Sequence, residues 1–365
     1  MSAQIVPQVL VVGCGAVVQE LHGGALSQLE KQGVLKVVAL ADPADKRIQE
    51  FQKRFPAAKG YPDAAAALAG QHIDITLVAS PPSLHRQHTE VALQAGSHVL
   101  CEKPFTVTAA DAAFLTRLAE TKQRLVAVGL TRRFFPSLAM AAQLVADGSL
   151  GDNLTFICRE GGAFNWPLTS DALFRRATAG GGVLADKGVH VLDSLLWVFG
   201  RMNVASAQDD AQTGGVEGNI TLQLAGTSLS GTLQLSFTQA LNSGFWISGS
   251  RGEVWVQPEE FRFIRRRQGP GPWERVPCTA GWPLDAATPN APRVIPKNYD
   301  ECIIMQWVAM VRAVRFGEAV PVTAAQAEFV ISQIEEAYRV VKPWPQPWLS
   351  PAEQAVATAK HWKNS

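Results

Sequence analysis

Short apolar runs alternate with helix-like segments over the first 130 residues of the chain. The runs consist largely of Val, Ile, Leu and Ala rather than showing an apolar residue at every second position. Such continuous runs are typical of parallel strands that helices cover on both faces. The pattern therefore predicts βαβ units in one parallel sheet. The predicted strands are 8–12, 36–41, 73–79, 98–101 and 124–129.

The pattern changes after residue 131. Helices are predicted at 136–147 and 184–199, and residues 203–276 then show period-two alternation without intervening helices. Consecutive strands of this kind predict a mainly antiparallel sheet. The Pro- and Gly-rich residues 269–296 predict a long loop, and further helices are predicted at 299–316 and 324–341. We therefore predict an α/β chain of two domains, 1–130 and 131–365.

The bulk composition agrees with two domains and excludes several classes of partner. A chain of 365 residues is long for one domain. Its 33 basic and 32 acidic residues leave a formal charge of +1, which offers no electrostatic footprint for nucleic acid or an anionic membrane. No run is long enough to span a bilayer, and the opening residues lack the basic region of a secretory leader. The five cysteines form no CxxC pair and no Cys/His cluster, which predicts free thiols in a reducing cytoplasm and no metal site.

A glycine turn follows the first predicted strand and opens a helix, which is the context that a dinucleotide fingerprint requires. Gly13 permits the tight turn, and Gly15 lets the backbone approach a pyrophosphate at the helix N-terminus. Val18 occupies the third glycine position, so the match is partial. A plain strand-to-helix turn therefore stays open as the alternative.

Asp42 stands at the end of the second predicted strand. An acidic side chain there accepts hydrogen bonds from the adenosine ribose hydroxyls, and it repels a 2′-phosphate, which favours NAD over NADP. The interval from Gly15 is longer than the roughly 20 residues usual for the fingerprint. Lys46 and Arg47 lie nearby, and their positive charges leave NADP as a possible cofactor. The alternative role of Asp42 is to form a turn as part of an Asp-Pro dipeptide.

Three further segments occur in a characteristic order: ASPPSLH at 79–85, VLCEKP at 99–104 and GGGVLADKGVH at 180–190. Together they resemble the Gfo/Idh/MocA oxidoreductases, named for glucose–fructose oxidoreductase, inositol dehydrogenase and a rhizopine-catabolism protein. The resemblance runs from about residue 8 to at least residue 200. It implies a Rossmann domain followed by an α/β domain with a large open sheet that frequently serves oligomerisation. A homodimer or homotetramer is therefore expected.

The resemblance also assigns roles to individual residues. The lysine of the EKP segment, here Lys103, lies beside the nicotinamide in this family, and the D-x-x-x-H pair maps to Asp186 and His190. Lys187 stands where the family commonly has an apolar residue, which places an extra charge near the pocket. With the glycine turn and Asp42, the predicted cofactor-binding set is Gly13, Gly15, Ala16, Val17, Asp42, Ser80, Pro81, Pro82, His85, Glu102 and Lys103.

The residue types of the assigned catalytic set suit hydride transfer. Asp186 and His190 are four apart on a predicted helix, so they share one face, as a proton relay requires. His190, with an intrinsic pKa of about 6.5, can take the hydroxyl proton, and Asp186 can orient it or bind a neighbouring hydroxyl. Lys103 would stabilise the reacting oxygen electrostatically. Taken singly, each residue also fits a packed or solvated role, and Asp186 fits an early-turn carboxylate favoured by the helix dipole.

A second group of residues is predicted to border the substrate. Arg132 lies at the predicted domain junction, where ligand clefts commonly form, and a structural salt bridge is the alternative role for it. Trp166 and Arg175 precede the glycine run, a segment that can border the sugar pocket in the family that the chain resembles, and Lys187 follows the run. An aromatic platform with cations suits a polyhydroxylated sugar, including anionic or nucleotide-linked ones. His22 is expected only to pack within the first helix.

The function predicted from these residues is an NAD-dependent dehydrogenase that acts on a CH–OH carbon of a sugar, inositol or sugar derivative, with NADP as the other possible cofactor. One alternative is a redox-assisted glycosidase that keeps its NAD bound. Another is a regulator of the same fold that senses the dinucleotide without turnover. The joint presence of the lysine, aspartate and histidine favours the enzyme, because a sensor needs no proton relay.

Overall fold

The computed structural model describes residues 6–165, 174–211, 215–345, 347 and 349–360. The chain divides into two compact units, Met1–Phe134 with Gly281–Phe329, and Phe135–Ala280 with Val330–Ser365. The sequence pattern predicted one boundary near residue 130, and it did not predict that residues 281–329 return to the first unit. Within the described ranges, no helix combines the length and apolarity that a membrane crossing demands.

Helices and strands are numbered here in chain order. The α-helices are α1 (Gly23–Lys31), α2 (Asp45–Gln52), α3 (Ala64–Gly70), α4 (Pro82–Gln94), α5 (Ala109–Lys122), α6 (Pro136–Ala146), α7 (Arg176–Ala179), α8 (Val189–Phe199), α9 (Tyr299–Phe316), α10 (Ala324–Val340) and α11 (Pro351–Lys360). The strands are β1 (Gln8–Val12), β2 (Lys36–Ala41), β3 (Lys59–Tyr61), β4 (Ile75–Val78), β5 (His98–Cys101), β6 (Val126–Val128), β7 (Leu154–Gly161), β8 (Asn203–Asp209), β9 (Asn219–Gly226), β10 (Leu229–Ser236), β11 (Gly244–Gly249), β12 (Gly252–Val256), β13 (Phe263–Gln268), β14 (Glu274–Pro277), β15 (Trp282–Pro283), β16 (Arg293–Val294) and β17 (Val341–Pro343). Two π-helical turns, Val18–His22 and Leu184–Gly188, lead into α1 and α8.

The first unit contains a six-stranded parallel sheet in the order β3-β2-β1-β4-β5-β6. Alternate residues of β1 enter different cores: Val9 and Val11 belong to one apolar cluster, and Leu10 and Val12 to the other. Both faces of the strand are therefore buried, which explains its continuous apolar run. The predicted parallel sheet is confirmed. The edge strand β3 was not predicted, because three residues that include a glycine are too short to show a pattern.

Helix α9 belongs to the first unit although it lies far along the chain. The Asn298 side chain caps it by accepting the Glu301 N–H at 2.9 Å. Trp307 and Val311, four residues apart on one face, are buried in the same cluster as Val9. The helix predicted at 299–316 is thus present, and its apolar face covers the parallel sheet.

The second unit contains a nine-stranded sheet in the order β14-β13-β12-β11-β7-β10-β9-β8-β17. Only the pairs β7/β10 and β8/β17 are parallel, so the predicted mainly antiparallel sheet is confirmed. Strand β7, at the centre, was not predicted. The prediction of a loop for 269–296 was incomplete, because β14 extends the sheet there.

One face of this sheet packs against helices and the other is more open. On the helix side, Phe156 of β7 stacks on Phe199 of α8, with ring centroids 5.1 Å apart. Its neighbour Ile157 points to the opposite face and is 44% exposed. Trp246 of β11 lies opposite Ile157 of β7 on one side and Trp255 of β12 on the other, and the two indole rings are in edge contact. The open face therefore carries an apolar aromatic patch.

Candidate functional site

In the glycine turn after β1, the first glycine has a conformation and an environment that only glycine fits. Gly13 has φ +90°, and a Cβ there would lie 2.7 Å from the Ala79 carbonyl oxygen of the adjacent loop. Its N–H donates to the Ala41 carbonyl at 2.8 Å. A Cβ on Gly15 would meet nothing within 4 Å. Gly15 thus borders open space, as a glycine that admits a phosphate group should.

The third fingerprint position is filled by a core residue. Val18 is fully buried in the cluster between the parallel sheet and its helices. It also begins the π-helical turn Val18–His22, and π turns of this kind are frequent at functional sites. The departure from glycine at this position therefore adds packing beneath the turn.

Asp42 connects the end of β2 to the glycine turn. One carboxylate oxygen accepts the Cys14 N–H and the other accepts the Ala44 N–H, each at 2.9 Å. Arg47 approaches the carboxylate to 3.9 Å. The turn-forming role of Asp42 is thus observed. The carboxylate keeps acceptor capacity for a ligand, because each oxygen can accept a second hydrogen bond.

His85 joins the two loops that carry the predicted cofactor residues. The loop after β4 contains Ser80, and the loop after β5 contains Pro104, which follows a cis peptide bond. The buried imidazole lies between them, with Nδ1 2.7 Å from the Pro104 carbonyl oxygen and Nε2 2.8 Å from that of Ser80. Burial lowers the pKa of His85, against the effect of the two carbonyl groups. A direct contact of His85 with the cofactor stays a prediction.

Glu102 is held by a buried chain of hydrogen bonds. The Trp307 indole N–H donates to His22 Nδ1 at 3.0 Å, so the ring proton of His22 lies on Nε2. That Nε2–H donates to Glu102 Oε1 at 2.8 Å, and Glu102 Oε2 accepts the Lys103 N–H at 3.1 Å. Burial would raise the pKa of Glu102, but the hydrogen bond from His22 and the charge of Lys103 outweigh it, so the pKa lies below its usual value.

This chain of bonds anchors the backbone at Lys103, whose side chain is half-buried just beyond the carboxyl end of β5. His22 is buried, as expected, but no local sequence pattern indicates its link to Glu102 and Trp307. Open parallel sheets bind ligands at the carboxyl ends of their strands. The predicted cofactor residues Ser80 and Lys103 and the glycine turn all follow strands of this sheet.

The residues predicted from the D-x-x-x-H motif lie on one continuous helical segment of the second unit. Asp186 is in the π turn Leu184–Gly188, and His190 is in the first turn of α8. Both side chains are partly exposed. Residues four apart are about one helical turn apart, so the two side chains project from the same side of the segment. Asp193, one turn further on, is fully buried.

The start of this segment is tied to Glu217, which sequence reasoning missed. The buried Glu217 carboxylate accepts the Gly182 N–H at 2.9 Å and the Leu184 N–H at 2.8 Å, and the Tyr338 hydroxyl donates to it at 2.8 Å. Burial raises the pKa of Glu217 to about 7, against these hydrogen bonds. The only signal in the sequence is the glycine run that makes room for this group.

The residues predicted to border the substrate have varied surroundings. Lys187 Nζ lies 5.4 Å from the ring centroid of Phe237, and Phe237 is in edge contact with Phe164. Arg175 is exposed and precedes α7. Arg132 is half-buried in the 3-10 turn Thr131–Phe134 of the first unit. Trp166 lies outside the described residues.

The described residues contain no group of three or more His, Cys, Asp or Glu side chains that could hold a metal ion. The cysteines at 14, 101, 158, 278 and 302 are all buried, and none of them is in a disulfide bond.

Known proteins resemble this chain over most of its length. The GFO/IDH/MocA family model for an oxidoreductase with an NAD-binding Rossmann fold matches residues 8–130, and the GFO/IDH/MocA C-terminal domain matches residues 138–255. D-glucoside 3-dehydrogenase of Escherichia coli (strain K12) is 29% identical over 53% of this chain and 54% of its own length. The chain thus spans about half the length of this relative.

A longer match is dTDP-3,4-didehydro-2,6-dideoxy-alpha-D-glucose 3-reductase of Saccharopolyspora spinosa, which is 30% identical over 72% of this chain and 79% of its own length. The crystal structure of aldose-aldose oxidoreductase from Caulobacter crescentus, complexed with glycerol, has a TM-score of 0.76 at 23% identity. It covers 92% of this chain and 97% of that chain, which shows a common fold. Both family domains are matched in order, and we conclude that the chain belongs to the GFO/IDH/MocA oxidoreductase family.

Proposed function

We propose that the protein is an NAD(P)-dependent oxidoreductase that transfers a hydride between the nicotinamide and a CH–OH carbon of a sugar, inositol or sugar derivative. The observation that carries the proposal is the anchored loop at Lys103. A buried hydrogen-bond chain holds its backbone at the carboxyl edge of a sheet that matches the NAD-binding family model. The names of the two relatives, a glucoside 3-dehydrogenase and a deoxysugar 3-reductase, support a sugar as substrate.

The proposed chemistry divides between three side chains. A bound nicotinamide supplies the hydride acceptor in the oxidising direction. As the carbon loses its hydride, the O–H bond breaks and His190 takes the proton, because a free alkoxide would be too unstable. Lys103 donates a hydrogen bond to the reacting oxygen and stabilises its developing charge. Asp186 orients the imidazole or binds a neighbouring hydroxyl. In the reducing direction, His190 returns the proton.

We assign the cofactor to the glycine turn and to the loops after β2, β4 and β5, with NAD preferred to NADP. Asp42 places a carboxylate at the end of β2. This carboxylate would accept hydrogen bonds from the ribose hydroxyls and repel a 2′-phosphate. Gly15 leaves the space that a pyrophosphate needs at the helix N-terminus.

We propose that Lys187 and the aromatic rings near it contribute to substrate binding. Phe237, Phe164 and Phe174 form a connected cluster, and Phe174 is 42% exposed. Aromatic faces suit the apolar faces of sugar rings, and the Lys187 ammonium suits an anionic or nucleotide-linked sugar. Arg132, Trp166 and Arg175 remain candidates for the same role.

We propose that the open face of the nine-stranded sheet is a subunit interface in a homodimer or homotetramer. Ile157, Trp246 and Trp255 form an apolar aromatic patch there, and Trp273 is in edge contact with Trp246. Large aromatic residues are enriched in interface cores. We also place the protein in the cytoplasm, because none of the five cysteines is in a disulfide bond.

The proposed function is tested by screening sugars, inositols and nucleotide sugars with NAD⁺ and NADP⁺ for absorbance of the reduced nicotinamide. On the substrate found, Lys103→Ala should abolish turnover while the dinucleotide affinity stays within a few-fold of the original. Lys122→Ala, an exposed lysine in the last turn of α5, is the matched control. Normal turnover of the Lys103 variant would refute the assigned chemistry. Tightly retained NAD with cleavage of a glycoside and no net reduction would instead indicate the redox-assisted glycosidase.

A further inference from the structure

Glu217 is a fully buried carboxyl group that lies at the N-terminal end of the helical segment bearing Asp186 and His190. One of its oxygens accepts the Gly182 N–H and the other accepts the Leu184 N–H. N–H groups at the start of a helix have no partner within the helix. The Glu217 carboxylate supplies this partner from a distant part of the chain, so it caps the segment from outside.

Tyr338 of α10 and the glycine run complete the arrangement. The Tyr338 hydroxyl donates to the same Glu217 oxygen that receives the Leu184 N–H. A Cβ on Gly181 would overlap the Tyr338 hydroxyl, and a Cβ on Gly182 would overlap the Glu217 backbone carbonyl. These two glycines are therefore required because the tyrosine and the glutamate pack directly against the start of the segment.

We infer that Glu217 and Tyr338 are positioning residues for the proposed oxidoreductase reaction, and that their hydrogen bonds set the position of Asp186 and His190. The inference rests on the proposed function for the role of those two residues. Asp186 follows Leu184 by half a turn, so a movement of the capped end carries over to the catalytic side chains. A misplacement of about 1 Å in a catalytic group can reduce the rate about a hundredfold.

The cap depends on the ionisation of Glu217. The carboxylate accepts three hydrogen bonds, whereas a protonated carboxyl group turns one oxygen into a donor and loses acceptor capacity. Because burial raises its pKa to about 7, the capping form is complete only above that pH. Charged groups near the pair include Asp209, whose charge adds to burial and to the Glu217 charge in raising the pKa of Tyr338, and Arg176, whose guanidinium lies 5.6 Å from the Tyr338 ring centroid. The cap is therefore expected to weaken as the pH falls through about 7.

Hydrogen exchange at single amides tests the cap without any substrate. After correction for the intrinsic exchange rate, protection of the Gly182 and Leu184 amides should fall as the pH falls through about 7. The Val183 amide is an internal control, because it donates to the Glu217 backbone carbonyl at 3.0 Å and is independent of the carboxyl group. Equal pH dependence of all three amides would overturn the inference.

Variants connect the cap to catalysis. Glu217→Gln should make the Gly182 exchange independent of this ionisation and lower kcat about tenfold or more, with the dinucleotide Kd unchanged. Tyr338→Phe should move the pH midpoint of the amide protection upward, because the tyrosine hydrogen bond lowers the pKa of Glu217. Glu30→Gln, whose carboxylate accepts the Val37 N–H in the first unit, should change none of these readouts.

The outcomes separate this inference from the proposed function. If the pH-dependent protection is found but no sugar is oxidised, the cap stands and the proposed function fails. If Lys103→Ala is inactive but a folded Glu217→Gln protein has normal kcat and unchanged Gly182 exchange, the proposed function stands and the inference fails. Should Glu217→Gln not fold, the wild-type amide titration and Tyr338→Phe still decide the question.

Discussion

Replacement of His22 by leucine should destabilise the first unit far more than the small change in side-chain volume suggests. Leucine has a similar volume and is apolar, but it removes both hydrogen bonds of the imidazole. The Glu102 carboxylate and the Trp307 indole N–H then stay buried without this partner. An unsatisfied buried polar group costs about 1–3 kcal/mol, and more when it is charged. For the two groups together we expect a loss of about 3 kcal/mol.

The loss should also depend on pH. In the wild type, the pKa of Glu102 is held below its usual value, so the carboxylate contributes stability above the unfolded-state pKa and loses it as the pH falls through the folded-state pKa. Without His22 the pKa of Glu102 rises, because the hydrogen bond from the imidazole is among the contacts that lower it. The free energy of unfolding that the variant loses relative to the wild type should therefore be larger at pH 7 than at about pH 4.

Urea unfolding followed by circular dichroism at several pH values measures both effects. The matched control is His72→Leu, because His72 also lies 2.9 Å from a carboxylate but its side chain is 74% exposed. An exposed pair of this kind contributes about 0–1 kcal/mol. Equal losses of stability in the two variants, or a loss in the His22 variant that does not change with pH, would contradict the role assigned to the His22 hydrogen bonds.

Four further changes have defined outcomes. Gly13→Ala places a Cβ at φ +90° against the Ala79 carbonyl, so it should cost more than about 2 kcal/mol and weaken dinucleotide binding at least tenfold, as fluorescence titration would show. His190→Asn should lower kcat about a hundredfold with unchanged dinucleotide affinity, and near-normal kcat would remove it as the acid/base. Asp42→Asn should raise the affinity for NADP relative to NAD about tenfold, and an unchanged ratio in parallel titrations would argue against the ribose role. Trp246→Lys places a charge on the open sheet face and should reduce the oligomer size in sedimentation velocity, whereas an unchanged size would place the interface elsewhere.

Features that depend on residues close together in the chain were predictable from the sequence. The continuous apolar run of β1 identified a strand buried on both faces, and Gly13 identified a turn that needs a positive φ. The spacing of Asp186 and His190 placed both on one helical segment. These features were predictable because periodicity and backbone conformation act over a few residues. The roles of the site residues in catalysis and binding stay predictions.

The groups that support the candidate site from distant parts of the chain are visible only after the chain has folded. Strand β7 was not predicted although its residues alternate, and its place between β10 and β11 depends on pairing with segments far away in the chain. The hydrogen bonds between Trp307 and His22 and between Gly182 and Glu217 likewise join residues that are far apart in the chain. A buried donor must be satisfied by whatever acceptor the fold brings near it, and no local pattern identifies that acceptor. The Asp186 and His190 pair is therefore visible in the sequence, while the groups that hold its segment in place appear only in the folded chain.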